Sequence, residues 1–370
     1  MKKILLMAAT GASVALLSGP ALADSLDPSS YSTTLSVGGS ATIDKVGTIS
    51  AGGPTSAVAD VLFVSDTTGS MGSAISAVRS TFGATATALS SFGDVATGAA
   101  QYKDQTAAGD PFNYNLDAPI SKNSSSTQAA INTWSAYGGG DDPEQGLYAL
   151  TQASGSSTGW RTGAKKIIVQ TGDAPSHDAI TSPPAAGGAT VANTAAALKA
   201  AGITVESLNA SNITGDTGLN NYGQFSGPGS IYAAGVKGSY TSTFPSTSSL
   251  TATLEALIGS AFNTYSDVSL VALGLPASGI TVSLPADITG TFDRSVDRTF
   301  DFDPLTITGT APGTYKFEIA LEADGGILAE EGDTVTVTSG PTPVPEPTTL
   351  ALMGIGLVGL RASRRRRSAH

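Results

Sequence analysis

One short run of the chain concentrates hard oxygen donors. Ser65-Asp66-Thr67-Thr68-Gly69-Ser70-Met71-Gly72 sets a carboxylate and two hydroxyls at alternate positions, Asp66, Thr68 and Ser70, in a Gly-bounded turn. Alternate residues of a tight loop can face one point. Oxygen donors converging there suit Mg²⁺, Mn²⁺ or Ca²⁺, which take oxygen ligands at about 2.0 to 2.6 Å. Taken alone, the same residue types serve equally well as caps of a following helix. Catalytic constellations are sparser. Of the two histidines, His177 stands between Ser176 and Asp178, sequence neighbours whose side chains point apart, and His370 lies beyond an expected cleavage point. The triplet is therefore not a Ser-His-acid triad. No G-x-x-x-x-G-K-S/T phosphate loop occurs. Without Cys there is no thiol nucleophile, thiolate zinc site, iron–sulfur cluster or disulfide. The expectation is a binding protein and not an enzyme, with a hydrolase as the least favoured alternative.

The elements around this run must place it at a strand end. Val61-Leu62-Phe63-Val64 is a continuous apolar run of strand length, and Ile75, Val78, Phe82, Ala86 and Leu89 follow at helical spacing. Further buried strands are expected at 95–102, 166–170 and 203–208, and helices at 143–153, 189–201 and 250–263. Strands alternating with helices predict an α/β fold, Rossmann-like, with a mostly parallel sheet covered on both faces. Ligands on such sheets bind outside the carboxyl ends of the strands. After about residue 267 the helical period stops. Short β-type runs at 268–273, 280–284, 299–302, 305–308, 314–320 and 334–338 predict a small flanking β-sandwich. Residues 31–50 also favour strands and are expected to complete that sandwich, making the α/β unit an insertion. The acidic run 322–333 reads as a solvated hairpin turn.

With these elements in place, residues 60–263 resemble the von Willebrand factor type A domain, whose metal-ion-dependent adhesion site opens with D-x-S/T-x-S after a buried first strand. Two later segments fit the resemblance: Gly138 to Leu147, which contains Asp141-Asp142-Pro143-Glu144, and Thr171-Gly172-Asp173-Ala174-Pro175-Ser176-His177 after an apolar strand. The resemblance implies that Asp173 supplies the last carboxylate. In the first segment Asp-x-Pro-Glu looks like the integrin β-subunit version, which gives Glu144 a ligand role in place of the more common Thr. The implied metal set is Asp66, Thr68, Ser70, Glu144 and Asp173, holding one divalent cation, Mg²⁺ ahead of Ca²⁺ or Mn²⁺, with an open position for a partner's carboxylate. A second metal would draw on Asp104, Asp141 and Glu144, although Gly139 stands where that version has an Asn donor. Ser73 and Ala74 replace the acids of a third site. Tyr102, Asp142 and His177 are expected at the ligand rim. The gathered carboxylates would repel one another without a cation, coupling metal binding to local order.

The chain is weakly charged, 13 % against roughly 25 % for an average soluble protein, and its net charge is −11. The basic residues Lys2, Lys3, Arg361 and Arg364 to Arg367 sit at the ends, so the interior is more acidic than the whole. Such a body repels nucleic acid and attracts divalent cations. The ends read as addresses. Residues 1–23 combine Lys2-Lys3, an apolar run and Ala21-Leu22-Ala23, the pattern of a secretory signal. At the other end a Pro-rich spacer, an apolar stretch from Thr348 to Leu360 and terminal arginines resemble the PEP-CTERM sorting signal of Gram-negative bacteria, through Val344-Pro345-Glu346-Pro347. As a helix that stretch rises about 20 Å, short of the roughly 30 Å hydrocarbon core. The resemblance implies export, transient inner-membrane anchoring with the arginines inside, and cleavage by an exosortase.

The expected organisation is a signal peptide (1–23), an N-terminal β segment (24–58), a type A domain (59–265), a β-sandwich (266–340) and a sorting signal (341–370). The expected function is metal-dependent attachment to an acidic group of a protein or polysaccharide at the cell surface or in extracellular matrix. A structural matrix component, with the metal only stabilising the fold, is the alternative.

Overall fold

The computed structural model describes residues 23–339, apart from 106–108, 141, 180 and 182–183. The expected leader up to residue 22 and the sorting segment lie outside the described residues. Three strands come first: β1 (Ser25–Asp27), β2 (Ser30–Ser36) and β3 (Ser40–Ile49). The α/β unit then runs β4 (Ala57–Asp66), α1 (Gly72–Leu89), β5 (Gly93–Tyr102), β6 (Tyr114–Ser121), α2 (Ser124–Thr133), α3 (Gly146–Ala153), β7 (Lys165–Gly172), α4 (Val191–Ala200), β8 (Ile203–Asn209), α5 (Ser211–Thr214), β9 (Lys237–Thr241) and α6 (Thr247–Ser260). Six further strands complete the described residues: β10 (Thr264–Leu273), β11 (Ile280–Ser283), β12 (Ile288–Asp293), β13 (Arg298–Gly309), β14 (Gly313–Ala323) and β15 (Gly326–Thr338).

The α/β sheet has the order β6-β5-β4-β7-β8-β9, parallel throughout except for the antiparallel edge strand β6. Successive side chains of a strand point to opposite faces, and β4 shows both faces covered. Val61 and Phe63 join a core with Ile75, Val78 and Phe82 of α1 and Leu250, Leu254 and Ile258 of α6. Leu62 and Val64 join another with Leu147 and Leu150 of α3 and Leu198 of α4. This is the α/β architecture expected from the alternation of strands and helices. The chain leaves β4 toward β5 on one side and crosses to β7 on the other, so the strand order reverses at β4. Such a switch point opens a crevice at the carboxyl ends of the strands.

Strand β6, which the apolar pattern missed, carries Asn115, Asp117 and Pro119, residues tolerated at a sheet edge where half the backbone groups need no ladder partner. Helix α3 starts at Gly146 rather than at 143, because Glu144 is bridged to Ser176 instead of entering the helix.

The remaining strands form a two-sheet sandwich, β1-β3-β13-β11 facing β12-β10-β14-β15-β2. The N-terminal strands complete it: β3 pairs antiparallel with β13, and β2 pairs parallel with β15. The runs at 299–302 and 305–308 are one strand, β13, with its register shifted at Asp303-Pro304. Arg294 ties the two ends of the sandwich together by a bidentate pair with buried Asp24, at 2.8 and 2.9 Å. The two units meet where Ile327 donates its N–H to Gly163 at 2.8 Å and Lys237 pairs with Asp324 at 2.7 Å. The acidic run 322–333 departs from its expected place. Only Asp324 and Gly325 make the turn, while Glu331 and Asp333 are buried on the inward face of β15.

Candidate metal centre

Asp66 ends β4 with its side chain fully buried. Its Oδ1 accepts the Thr68 N–H at 2.8 Å and the Thr68 hydroxyl at 2.7 Å, while Oδ2 has no partner. The loop is pinned by two backbone bonds, Thr67 N–H to Tyr102 O and Gly69 N–H to Gly138 O, both 3.0 Å. The 3-10 turn Gly69–Met71 leads into α1, and neither start is capped by a side chain. The helix-cap reading of the hydroxyls therefore fails: Thr68 turns back to the carboxylate and leaves its lone pairs free.

Two other loops bring carboxylates to the same sheet edge. Asp173 follows β7 and is buried with neither oxygen at bonding geometry to any partner, although the Thr214 and Ser70 hydroxyls lie close enough to favour its anion. Glu144 is locked against that loop by its own N–H to Pro175 O at 2.8 Å and by His177 N–H to Glu144 O at 2.7 Å. Its Oε2 is buried without a partner. Thr68 and Glu144 flank Gly139 (φ +80°): a Cβ there would stand 2.9 Å from Thr68 Cβ and 3.0 Å from Glu144 Oε1. The positive φ and the crowding both favour glycine at this position.

The electrostatics reflect this gathering. Burial, then the neighbouring Asp173, push the Asp66 carboxyl up to about 8 against the pull of the Thr68 hydrogen bonds and the Lys103 ammonium. Burial and then Asp66 push Glu144 upward, and burial raises Asp173. Four buried carboxylate oxygens on Asp66, Glu144 and Asp173 thus lack partners beside two available hydroxyls, a donor set of the hard kind that divalent cations take. Among the described residues no group of three or more His, Cys, Asp or Glu is placed to hold a metal ion.

Two residues fall in other places than expected. Tyr102 and His177 are fully buried beneath the site, not at its rim. Tyr102 fills the space beside Gly172, and His177 Nε2 pairs with Asp104 Oδ1 at 2.8 Å while its Nδ1 meets Thr181 at 3.2 Å. Asp104 also accepts the Gly140 N–H at 3.2 Å. Burial works against its anion, but His177 and Gly140 outweigh that and hold its carboxyl below the usual range. Both Asp104 oxygens thus have hydrogen-bond partners, and Asp141, its expected companion at a second cation, lies outside the described residues. Asp142 is exposed and accepts the Thr217 hydroxyl at 2.7 Å, as a rim residue can.

Two site residues escaped the sequence reading. Buried Lys103 donates to Thr67 O and Tyr137 O and stands 3.7 Å from the Tyr137 ring centre. Asp110 accepts the Gly139 N–H at 3.0 Å and orients the glycine loop. The sequence signal for Lys103 is slight: a charged residue directly after an apolar strand.

Residues 343–367 match the family model described as the PEP-CTERM protein-sorting motif. That motif indicates an exported protein of a Gram-negative bacterium, anchored through its C-terminal segment and processed by an exosortase. No curated protein matches the chain. Among solved structures, the open conformation of the pilus adhesin SpaC from Lactobacillus rhamnosus GG aligns at 16 % identity and TM-score 0.41, covering 80 % of this chain and 45 % of that one. A von Willebrand factor type A protein from Catenulispora acidiphila aligns at 14 % identity and TM-score 0.37, covering 86 % and 72 %. The chain thus spans under half the length of the pilus adhesin. Both scores lie below 0.5, so the fold assignment stands on the sheet order itself. Among the described residues no helix is long and apolar enough to cross a membrane.

Proposed function

We propose that this exported chain is an attachment protein that holds one divalent cation, Mg²⁺ in the first place, between Asp66, Thr68, Ser70, Glu144 and Asp173. The cation's open position would take a carboxylate or other acidic group of a protein or polysaccharide at the cell surface or in extracellular matrix. Anchoring at the inner membrane is then a stage before exosortase release. The observation that carries the reading is the set of partnerless buried oxygens on three carboxylates beside two uncapped hydroxyls. A bound dication would supply Lewis acidity and positive charge; the chain's own residues hold it and shape its surroundings. Exposed Tyr137 and Tyr222 stand on loops that border this edge, and a groove of about 610 Å³ lined by Asp142, Pro143, Asp178, Tyr222 and Gln224 opens beside the Glu144 loop.

Hydrolysis is the less favoured reading, because His177 is fully buried and the neighbouring Ser176 hydroxyl accepts the Leu147 N–H at 3.1 Å. The test is calorimetric titration of Mg²⁺ into EDTA-stripped protein, together with capture of culture-matrix polymer in Mg²⁺ or EDTA. One saturable site, lost in Asp66→Ala, with capture that follows it, is the expected result. Equal capture in both conditions overturns attachment through the cation. A cation that raises Tm and leaves capture unchanged would make the site a structural one.

A further inference from the structure

The β-sandwich buries an amine against two carboxylates. Lys45 on β3 and Glu331 and Asp333 on β15 come from opposite sheets, and the side chains of Lys45 and Glu331 are 0 % and 1 % exposed. On β15 the inward positions run Glu331, Asp333, Val335, Val337, so two acids replace two apolar residues of a core stripe. On β3 Lys45 lies between inward Ile43 and Gly47, where a Cβ on Gly47 would stand 2.7 Å from Leu321 of the facing sheet. The sheets are therefore in close contact, and water is excluded. Lys45 Nζ donates to Glu331 Oε1 and, at 3.3 Å, to Pro28 O. Glu331 Oε2 and both Asp333 oxygens have no partner at bonding geometry. Burial and then the adjacent Glu331 push the Asp333 carboxyl up to about 7, which suits it to carry a proton.

Charges removed from water are costly unless fully paired, and one ammonium cannot satisfy two carboxylates. Holding an amine against a carboxyl in fixed geometry also gives their reaction a high effective concentration. We propose that Lys45 and Glu331 condense into an intramolecular amide, with Asp333 relaying the protons. The bond formed joins Lys45 Nζ to Glu331 Cδ, and the bond broken joins that carbon to one carboxylate oxygen. The ammonium sheds two protons through Asp333, and the departing oxygen takes both and leaves as water. Ammonium and carboxylate become amide and water, with charge balanced and no oxidant, reductant or cofactor required. The crosslink ties residue 45 to residue 331 and encloses the whole α/β unit in a covalent loop. Tension applied through the sandwich would then pass through a bond rather than through sheet packing. This inference is independent of the cation site.

The test is the intact mass, under denaturing conditions, of the exported chain after its two ends are mapped. The expected mass falls short of the sequence by one water, and digestion yields a branched peptide joining Lys45 to Glu331. Lys45→Arg is expected at full mass, and Asp333→Asn to accumulate unlinked chain. A wild-type chain that is folded by circular dichroism and has its full mass overturns the proposal, whether or not the variants fold. A branch to Asp333 in place of Glu331 overturns the assignment of bond and proton carrier.

Discussion

Two clusters of buried carboxylates stand in one chain and solve the same problem differently. At the edge of the α/β sheet, Asp66, Glu144 and Asp173 lie under loops, beside free hydroxyls, with the Lys103 ammonium turned to the carbonyls of Thr67 and Tyr137. In the sandwich, Glu331 and Asp333 face an amine from the opposite sheet. The first cluster has oxygens to spare and an ammonium turned to backbone carbonyls; the second has its amine, Lys45, directed at a carboxylate. Placement decides the difference. A strand end at a topological switch point is covered by loops, whereas the inward stripe of a sandwich is covered by a facing sheet and can be served only by its own side chains.

The sandwich cluster should be the more sensitive to losing its cation. Replacing Lys45 by Met removes the amine that either pairs with Glu331 or is condensed with it and strands two buried carboxyl groups, and losing one partner of a buried pair in this way costs about 3–5 kcal/mol. Chemical denaturation of the secreted protein is expected to show that loss, with much of it recovered when Glu331 and Asp333 are also made apolar. Little change in Lys45→Met would mean that water reaches the cluster and that the contrast with the sheet edge is false.

At the sheet edge the effect of a single substitution depends on the ion. Asp173→Asn should weaken Mg²⁺ affinity by at least about 100-fold, the upper end of what even orienting partners of metal ligands contribute. In EDTA the same variant should be more stable than wild type by about 1–3 kcal/mol, because a partnerless buried anion has been removed. Opposite signs with and without metal, read as Tm in Mg²⁺ and in EDTA, would separate a cation site from a structural hydrogen-bond cluster. The same sign in both would end the cation reading.

How far the sequence announced these clusters follows from how local they are. Strand β4 was legible because four consecutive apolar residues end in a turn, and Asp66, Thr68 and Ser70 because their spacing lies within that one turn. Glu144 and Asp173, distant in sequence, entered only through the type A resemblance. The conformation that brings them in, a bridge from Glu144 to Ser176, is a tertiary contact with no local signature. Lys103 escaped for the same reason, since its partners Thr67 and Tyr137 lie on other segments. The sandwich cluster was misread because the charges of Glu331 and Asp333 suggest solvent. The period-2 pattern they share with Val335 and Val337 pointed inward and was the better signal.

A buried carboxylate outside both clusters sharpens the contrast by having neither remedy. Glu206 on β8 accepts the Ser239 hydroxyl through Oε2, and its Oε1 has no partner. Burial pushes its carboxyl from 4.5 up to about 7. Raised above its unfolded value, this acid keeps its proton longer when folded, so its contribution is intact below about pH 4.5 and is lost as pH rises through about 7. Glu206→Gln should remove that slope and gain about 2 kcal/mol over wild type at pH 8, measured by urea denaturation across pH. Parallel pH profiles for the two proteins would show that Glu206 ionises freely in the fold.

The smallest expected effect tests how closely the sheet-edge cluster is built. Gly139 brings its backbone against Thr68 and Glu144 at φ +80°, a conformation disfavoured for residues with a Cβ by about 1–2 kcal/mol. Gly139→Ala adds one methyl group where Thr68 Cβ and Glu144 Oε1 already stand at 2.9 and 3.0 Å. It removes no donor, yet it must move Glu144 or the glycine loop that Asp110 holds. Mg²⁺ affinity should therefore fall by about tenfold, within the range set by residues that only orient ligands, while capture at saturating Mg²⁺ persists. The exposed Gly188 (φ +68°), which has open space around its missing Cβ, supplies the control, since Gly188→Ala carries the backbone penalty without touching the site. Equal losses of Mg²⁺ affinity in the two variants would assign the effect to general destabilisation, whereas a loss confined to Gly139→Ala would show that the cradle itself sets the position of Glu144.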